Sequence, residues 1–273
     1  MKVLVTGAKG MLGQDLCPIL DDCGYDVIET GRHEFDITDP SASQSYIEKN
    51  KPDCVIHCAA YTNVDKAEED PLCEEVNAKG TENIAKICGK LDIPIVYIST
   101  DYVFDGSKST PYTRNDNTNP INAYGLSKLH GETAIQKYCQ KYYIVRTSWL
   151  YGHHGKNFVE TMISLSDKPE LKVVNDQTGC PTWTVELSNG IVELLDEEAD
   201  YGIYHICGSG ETTWYNFAKE IFKQCNLNTK VLPCTTEEFP RPAKRPRYSV
   251  MDNEGICRSW KEALCDYIEL RVE

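Results

Sequence analysis

The sequence lacks long apolar runs: no stretch approaches the roughly twenty consecutive apolar residues that a membrane-spanning helix needs. The short apolar stretch at the N-terminus ends at Gly7 without a small-residue cleavage site, so it predicts a strand and not a signal peptide. Positive charge is also scarce, because 42 acidic and 28 basic residues give a formal net charge of −14. Nucleic-acid binding rests on cationic patches, so we expect a soluble protein with neither a membrane nor a nucleic-acid partner.

The sequence has no paired cysteine spacing, although it contains 13 cysteines. Their number is odd and they are scattered through predicted strands and helices, which argues against a zinc site and against a small disulfide-stabilised scaffold. Cys54 and Cys58 flank His57 in a way that could suggest a metal, but their neighbours are those of a buried strand end, so packing is the favoured role. We therefore expect a protein of the reducing cytoplasm and assign no metal ligand.

What is present is an alternation of apolar strands and helices in a chain of 273 residues, 41% of them hydrophobic. Up to Trp149 the alternation predicts an α/β fold with a doubly wound, Rossmann-like parallel sheet. Beyond Trp149 it becomes irregular, which predicts a smaller C-terminal substrate-binding lobe interleaved with the first, and an irregular, proline-rich tail. The predicted strands are Lys2–Thr6, Tyr25–Thr30, Pro52–Ala60, Ile93–Ile98, Tyr142–Thr147, Lys172–Val174 and Tyr204–Ile206. The predicted helices are Ser41–Lys49, Asn77–Leu91, Asn157–Leu165, Val185–Leu195 and Trp214–Cys225, together with helices that contain Leu16 and Tyr124.

A glycine-rich turn, Gly7-Ala8-Lys9-Gly10-Met11-Leu12-Gly13, follows the first predicted strand and precedes a helix. This order predicts a dinucleotide site, because such a turn brings backbone close to a pyrophosphate whose charge is held by the helix N-terminus. The alternative is a turn that serves only helix–strand packing.

The end of the second strand predicts the adenosine ribose site. No acidic residue stands at Thr30, and Arg32 follows, which favours the 2′-phosphate of NADPH over the free 2′-hydroxyl of NADH. Glu29 is close and Arg32 has the alternative of a solvated surface position, so NADH stays open.

Three further segments are predicted to face the cofactor or the substrate. Asp36 and Ile37 stand where they would cap the adenine, and the small residues Ala59 and Ala60 leave room for a cofactor across the end of the third strand. The hydroxyl of Thr100 follows the next strand, in the crevice where open α/β sheets bind ligands. Residues 105–123 are too long for a plain connection and are predicted to be a substrate or lid loop.

Tyr124 and Lys128 lie four residues apart on a predicted helix and therefore on one face of it. A tyrosine is a poor acid–base catalyst at neutral pH unless an adjacent cation stabilises its phenolate, which a lysine one turn away supplies in part. Taken alone, the spacing also occurs by chance on solvated helices.

These segments together resemble extended short-chain dehydrogenases/reductases and, within that superfamily, the dTDP-4-dehydrorhamnose reductase family over nearly the whole chain. The glycine turn and residues 124–132 carry the superfamily resemblance. Residues 57–65, 99–104, 146–152, 176–182 and Arg245-Pro246 ahead of Ser249 carry the narrower one. One departure stands at Arg114, where the family often has an acidic residue.

The resemblance implies hydride transfer from the nicotinamide to C4 of a keto-sugar, with Tyr124 donating the proton. It also implies that Lys128 holds the nicotinamide ribose and lowers the pKa of Tyr124, and that Thr100 hydrogen-bonds the carbonyl oxygen. The implied cofactor-binding residues are Gly7, Gly10, Met11, Leu12, Gly13, Arg32, Asp36, Ile37, Ala59, Ala60, Tyr61, Asn77, Tyr124 and Lys128. The implied substrate-binding residues are Thr62, Val64, Thr100, Asp101, Tyr124, Trp149 and Arg245; Arg245 has the alternative of a surface cation and Trp149 that of a core residue.

The implied activity is the NAD(P)H-dependent reduction of dTDP-4-dehydro-6-deoxy-L-mannose to dTDP-L-rhamnose by a monomer or homodimer. Residues 1–150 with about 183–207 are expected to form the dinucleotide-binding domain, and residues of about 151–182 and 208–273 the substrate-binding lobe. The alternatives are a nucleotide-sugar 4-epimerase or dehydratase of the same superfamily, and a non-catalytic NADP-binding regulatory subunit similar to that of methionine adenosyltransferase.

Overall fold

The computed structural model describes residues 1–272. Strands and helices alternate in its first part. The strands are β1 (Lys2–Thr6), β2 (Asp26–Thr30), β3 (Cys54–His57), β4 (Ile95–Thr100) and β5 (Tyr142–Thr147). The helices are α1 (Met11–Asp22), α2 (Pro40–Asn50), α3 (Leu72–Glu74), which a π-helical turn at Glu75–Gly80 joins to α4 (Thr81–Leu91), and α5 (Ala123–Tyr138).

The second part of the chain includes several strands of only two residues. The strands are β6 (Leu150–Tyr151), β7 (Glu170–Val174), β8 (Thr178–Gly179), β9 (Thr182–Trp183), β10 (Gly202–His205), β11 (Thr212–Thr213) and β12 (Lys230–Cys234). The helices are α6 (Phe158–Ser164), α7 (Thr184–Asp196), α8 (Trp214–Gln224) and α9 (Trp260–Val272).

The central sheet has six strands in the order β10-β5-β4-β3-β1-β2. Every neighbouring pair in it is parallel. The order reverses beside β1, which places a crevice outside the carboxyl ends of β1 and β3, where doubly wound sheets bind ligands. The doubly wound parallel α/β fold that the sequence predicts is confirmed.

Side chains of the central strands alternate between two buried layers. Val3 and Val5 pack with α1 and α7 on one face of the sheet, whereas Leu4 and Val55 pack with α2, α4 and α5 on the other. Fully burying each such side chain contributes about 1.5–3 kcal/mol, so both faces stabilise the sheet. The second lobe has its own core, centred on Phe217 and built from α6, α8, α9 and β9.

No helix within residues 1–272 is both long and apolar enough to cross a membrane.

Most predicted elements are present with small shifts. β1 and β5 have the predicted bounds, but the third strand stops at His57, because Cys58, Ala59 and Ala60 leave the strand ladder and line a cavity. The helix predicted to begin at Asn77 begins at residue 72 and contains the π-helical turn, a feature often found at functional sites.

The prediction of an irregular C-terminal tail is wrong. β12 pairs with β7 in parallel, and it was missed because a proline, Pro233, stands inside it. α9 buries Trp260, Ala263, Leu264 and Tyr267, which recur at helical spacing. The pattern for α9 was therefore present in the sequence, whereas that for β12 was not.

Candidate active site

A cavity of about 600 Å³ lies at the carboxyl ends of the central strands and extends to the second lobe. Seventeen of the predicted site residues line it, namely Gly7, Gly10, Met11, Leu12, Gly13, Arg32, Asp36, Ile37, Ala59, Ala60, Thr62, Val64, Thr100, Asp101, Tyr124, Lys128 and Trp149. Within residues 1–272, three predicted site residues do not line the cavity: Tyr61, Asn77 and Arg245. The cavity therefore joins the predicted cofactor and catalytic residues in one continuous space.

The glycine turn between β1 and α1 is packed too closely for side chains. Gly7 has φ of +68°, and a Cβ there would lie 2.7 Å from the backbone nitrogen of Ala59. A Cβ on Gly13 would lie 2.5 Å from the Cα of Ala8. The turn thus exposes bare backbone at the N-terminus of α1, where amide groups and the helix dipole attract an anion.

The region after β2 carries charges of both signs. Arg32 is exposed and lines the cavity, while the backbone nitrogen of Gly31 donates a 2.7 Å hydrogen bond to Oε2 of Glu34. Two hydrogen bonds from Thr38 hold the pKa of Asp36 below its usual range, so this carboxylate is ionised. Arg32 lines the cavity and suits a phosphate, whereas Glu34 is not a wall residue, so the residues present fit NADPH.

Tyr124 and Lys128 project from the first turns of α5. Asn122 begins this helix by accepting a 2.7 Å hydrogen bond from the backbone nitrogen of Gly125. A Cβ on Gly125 would lie 2.1 Å from the carbonyl oxygen of Tyr102, so the helix packs directly against the segment that follows β4. This close approach places Tyr124 beside Thr100.

Burial raises the pKa of Tyr124, the Asp101 carboxylate raises it further, and hydrogen bonding to Thr100 opposes both effects. The lowering of this pKa by Lys128 that the resemblance implies stays a prediction. Burial lowers the pKa of Lys128 itself to about 7, and the Glu132 carboxylate opposes that effect. The phenol of Tyr124 is therefore protonated at neutral pH, which suits a proton donor.

Thr100 and Asp101 form a polar pair at the end of β4. Oγ1 of Thr100 donates a 3.1 Å hydrogen bond to Oδ1 of Asp101 and accepts one of 3.2 Å from the backbone nitrogen of Tyr102. Asp101 is only 3% exposed, and its Oδ2 has no hydrogen-bond partner within residues 1–272. Burial raises the pKa of Asp101 to about 7. An unpaired oxygen on the cavity wall is a place for a ligand hydroxyl group to bind.

Two stacked indoles form the wall on the side of the second lobe. The rings of Trp149 and Trp214 lie 3.5 Å apart at an interplanar angle of 6°, and both residues line the cavity. Trp149 has φ of +47°, and its indole covers Gly179, where a Cβ would lie 2.5 Å from the ring. Trp149 is thus a half-buried wall residue that also packs on the second-lobe core.

The predicted residues that do not line the cavity make hydrogen bonds elsewhere in the chain. Asn77 accepts a 2.8 Å hydrogen bond from the backbone nitrogen of Tyr61 and donates to the carbonyl oxygen of Tyr61 and to Oγ of Ser127. Asn77 therefore joins the segment after β3 to α5. Arg245 pairs with Asp65 at 2.5 Å and with the carbonyl oxygen of Ala243.

The loop between β4 and α5 stands apart from the cavity. Arg114 within it pairs with Glu254 at 3.2 Å, and Tyr112 stacks on Phe104. Within residues 1–272, no residue of 105–123 lines the cavity. The loop that was predicted to cover the substrate therefore does not contact the cavity in this structure.

His57 is buried at the end of β3. Its ring bonds to the hydroxyls of Thr6 and Thr81 at 2.7 Å and 3.1 Å, and burial lowers its pKa to about 3. Within the described residues, no cluster of three or more His, Cys, Asp or Glu side chains that could hold a metal ion is present. All thirteen cysteines are free thiols.

Sequence reasoning missed several wall residues. They are Thr6, Thr30, Gly31, Phe35, Cys58, Val76, Ile98, Ser99, Tyr102, Thr147, Ser148, Leu150, Lys156 and Trp214. Those at strand ends follow from the same rule that finds Thr100. Lys156 and Trp214 belong to the second lobe and do not follow a strand of the central sheet. The rule for strand ends therefore does not predict them, and only the folded structure shows that they line the cavity.

The comparisons with known proteins agree in one family. The sequence model of the RmlD substrate binding domain matches residues 1–271. A dTDP-4-dehydrorhamnose reductase of Streptomyces griseus is 43% identical over 278 residues, covering 96% of this chain and 91% of that protein.

Two solved structures are similar over the whole fold. That of a dTDP-4-dehydrorhamnose reductase from Clostridium acetobutylicum ATCC 824 has a TM-score of 0.97 and 47% identity, with 100% of both chains covered. That of a dTDP-4-dehydrorhamnose reductase from Bacillus anthracis str. Ames, in complex with NADP, has a TM-score of 0.95 and 41% identity, covering 98% of this chain and 99% of that one.

Proposed function

Because this chain belongs to the RmlD substrate-binding-domain family, we propose that it reduces the C4 keto group of dTDP-4-dehydro-6-deoxy-L-mannose to give dTDP-L-rhamnose. It is an NAD(P)H-dependent oxidoreductase that performs the final step of dTDP-rhamnose synthesis. The observation that carries the proposal is the meeting of Thr100, Tyr124 and Lys128 at one cavity that also contains the glycine turn.

The residues around the cavity fit the cofactor. The bare backbone of the glycine turn would hold its diphosphate, Arg32 its 2′-phosphate when NADPH is bound, and Lys128 its nicotinamide ribose. Ala59 and Ala60 leave space beside the third strand. When bound, the reduced nicotinamide supplies the hydride for the carbonyl carbon.

Side chains of the protein supply the proton for the reduction. Tyr124 keeps its phenolic proton at neutral pH and donates it to the oxygen at C4 as that oxygen gains negative charge. Lys128, when charged, stabilises the phenolate that remains. A positioned proton donor of this kind contributes about 10²–10⁴-fold to the rate.

Thr100 polarises the same oxygen by a hydrogen bond. Its hydroxyl has a single proton, which it gives to Asp101 in the structure, so it must turn from Asp101 to the substrate. Asp101 and the stacked pair Trp149 and Trp214 then bound the sugar, and Thr62 and Val64 complete its surroundings. Arg245 belongs to the predicted diphosphate contact, for which it would leave Asp65.

We also propose the two domains, with their separate ligands, that are expected from the sequence. Residues 1–150 with about 183–207 bind the dinucleotide, and residues of about 151–182 and 208–273 bind the sugar nucleotide. The pairing of β10 with β5 and the packing of α7 on α1 support this division. The acidic chain has no nucleic-acid partner in this proposal, works in the reducing cytoplasm and is a monomer or homodimer.

The test is incubation of the protein with dTDP-4-keto-6-deoxy-L-mannose and NADPH while the absorbance of the reduced nicotinamide is followed. A reductase consumes one NADPH for each sugar reduced. An epimerase or dehydratase returns its hydride and consumes none, and a regulatory subunit binds NADPH without turnover. Steady absorbance with a verified substrate would overturn the proposed reduction.

A further inference from the structure

A buried ion pair joins the catalytic helix to the central sheet. Glu132 on α5 and Arg146 on β5 have side chains that are only 2% and 3% exposed. Nε and Nη2 of Arg146 donate to the two carboxylate oxygens of Glu132 at 2.9 Å and 2.7 Å. Oγ of Ser99 on β4 donates to Oε1 of Glu132 at 2.5 Å. One carboxylate therefore ties α5 to two adjacent strands.

This carboxylate lies in line with the catalytic groups. Tyr124, Lys128 and Glu132 follow one another at intervals of one helical turn on α5, so they share a face of the helix. Ser99 lines the cavity and directly precedes Thr100. A Cβ on Gly131 would lie 2.2 Å from the hydroxyl of Tyr97, so the helix and β4 are in direct contact here.

Lys128 is buried among groups that bear little charge. It is 2% exposed, and its ammonium lies 4.1 Å from the centre of the Tyr97 ring on β4. The titratable groups that face it are Tyr97, His57 and Cys58 from the strands or their ends, Cys73 from α3, and Tyr124 and Glu132 from α5. Burial keeps the histidine, the thiols and the phenols uncharged near pH 7. Glu132 is therefore the facing group that supplies negative charge.

The surroundings of Glu132 hold its carboxylate in a fixed position. Arg146, Ser99 and Tyr97 face it, and each has a hydrogen-bonding or charged group directed at this part of the core. The guanidinium of Arg146 also lies over the Phe104 ring and beside His205. Removing one partner of such a pair leaves an uncompensated buried charge, whereas removing both does not.

We propose that Glu132 is a positioning residue that acts through Lys128: paired with Arg146 and Ser99, it fixes α5 on the sheet and keeps the Lys128 ammonium charged beside Tyr124. This inference rests on the proposed function for its kinetic consequence, because charged Lys128 stabilises the phenolate that proton donation leaves. The competing possibility is that the ion pair only holds the fold together.

The variants separate these two roles. Glu132→Gln removes the negative charge but leaves Arg146 unpaired, so it is expected to fold poorly. The double variant Glu132→Gln with Arg146→Met removes both charges and is the informative one. Glu82→Gln with Lys86→Met is the matched control, because it removes an exposed ion pair between residues one turn apart on α4.

Two measurements are made on the wild type, the double variant and the control. The first is the pH dependence of kcat and kcat/KM for NADPH oxidation with the keto-sugar. The second is an NMR titration of ¹³C-labelled lysine in the protein without cofactor, in which the Lys128 signal is identified by its loss in Lys128→Ala. Circular dichroism confirms that each variant is folded.

We expect the double variant to be folded and its Lys128 signal to titrate about one pH unit or more below that of the wild type. The basic limb of its pH–rate profile should move in the same direction, while the control matches the wild type. A folded double variant whose Lys128 signal and pH profile both coincide with the wild type would overturn the inference. A wild-type protein without turnover would overturn the proposed function instead, and the NMR titration would still decide the effect of Glu132 on Lys128.

Discussion

Tyr124 is the residue on which the proposed proton transfer depends. Burial and the nearby Asp101 both raise its pKa, so it is a stable phenol that gives up its proton only when the substrate oxygen becomes strongly basic. Thr100, at the end of β4, donates a hydrogen bond to Asp101 and lies close enough to Tyr124 to influence its pKa.

Tyr124→Phe removes the proton donor without changing the ring. We expect turnover to fall by about 10²–10⁴-fold while NADPH affinity changes little, because the cofactor contacts of the glycine turn are untouched. Steady-state kinetics and a fluorescence titration with NADPH measure the two quantities. Tyr204→Phe, which removes a hydroxyl bonded to the carbonyl oxygen of Asp200 at the surface, is the control. Full activity in Tyr124→Phe would show that another group donates the proton.

The burial of Lys128 lowers the stability of the folded protein. Burial lowers its pKa to about 7, whereas an unfolded chain has a lysine pKa of about 10.4. Between these values the unfolded state binds a proton that the folded state does not, so the contribution of Lys128 to stability improves as the pH rises through this window. Below pH 7 the lysine is charged in both states, and the full cost of burying the charge applies.

Lys128→Met removes that cost together with the catalytic charge. We expect a variant with little turnover and a higher Tm. Its gain in the free energy of unfolding should be on the order of a few kcal/mol at most, and both this gain and the rise in Tm should be larger at pH 6 than at pH 10. Thermal unfolding of both proteins at the two pH values measures it. An equal change in Tm at both pH values would contradict a buried, titrating lysine.

At the scale of elements, strand–turn–helix units with strong apolar patterns were predictable. β1 is apolar or β-branched from Val3 to Thr6, β5 is aromatic or β-branched except at Arg146, and the glycine turn marks the start of α1. The bounds of β3 were not predictable, because Cys58 to Ala60 continue the apolar pattern although they leave the sheet. β12 was missed because Pro233 interrupts its strand pattern. Only its pairing with β7, which is distant in sequence, identifies it as a strand.

Gly13→Ala tests the turn between β1 and α1. The added Cβ would lie 2.5 Å from both the Cα of Ala8 and the carbonyl oxygen of Gly7, so backbone must move. We expect a destabilisation of about 1–3 kcal/mol and a large loss of NADPH affinity. Urea unfolding and NADPH titration measure these effects. Gly202→Ala is the control, since nothing lies within 4 Å of a Cβ there. Unchanged NADPH binding in Gly13→Ala would contradict the role of the turn.

At the scale of the whole molecule, the site forms where the two lobes meet. The end of β4 supplies Thr100, and α5 supplies Tyr124 and Lys128; Trp149 lies at the boundary of the two lobes, and the second lobe supplies Lys156 and Trp214. Thr100 follows from the rule that parallel strands bind ligands at their carboxyl ends, and Tyr124 and Lys128 follow from their spacing on one helix. Among Trp149, Lys156 and Trp214, only Trp149 was predicted, and from resemblance alone, because the chain beyond β5 follows no regular alternation.

Trp214→Ala tests the wall on the side of the second lobe. Losing the stack on Trp149 is expected to raise the KM for the nucleotide sugar about tenfold, a change of about 1.4 kcal/mol, and to leave the KM for NADPH within about twofold. Trp214→Phe keeps a ring against Trp149 and should lie between the variant and the wild type. An increase confined to the KM for NADPH would place the indole pair at the cofactor and contradict its assignment to the sugar.

The most direct measurement follows the hydride itself. The protein is incubated with dTDP-4-keto-6-deoxy-L-mannose and NADPH that carries deuterium at C4 of the nicotinamide, prepared as each of the two stereoisomers. With one stereoisomer we predict dTDP-L-rhamnose with a single deuterium at C4 of the sugar, formed in equal amount to the oxidised cofactor. A sugar product without deuterium from both stereoisomers, or label that stays on reduced cofactor while the sugar is converted, would contradict reduction at C4.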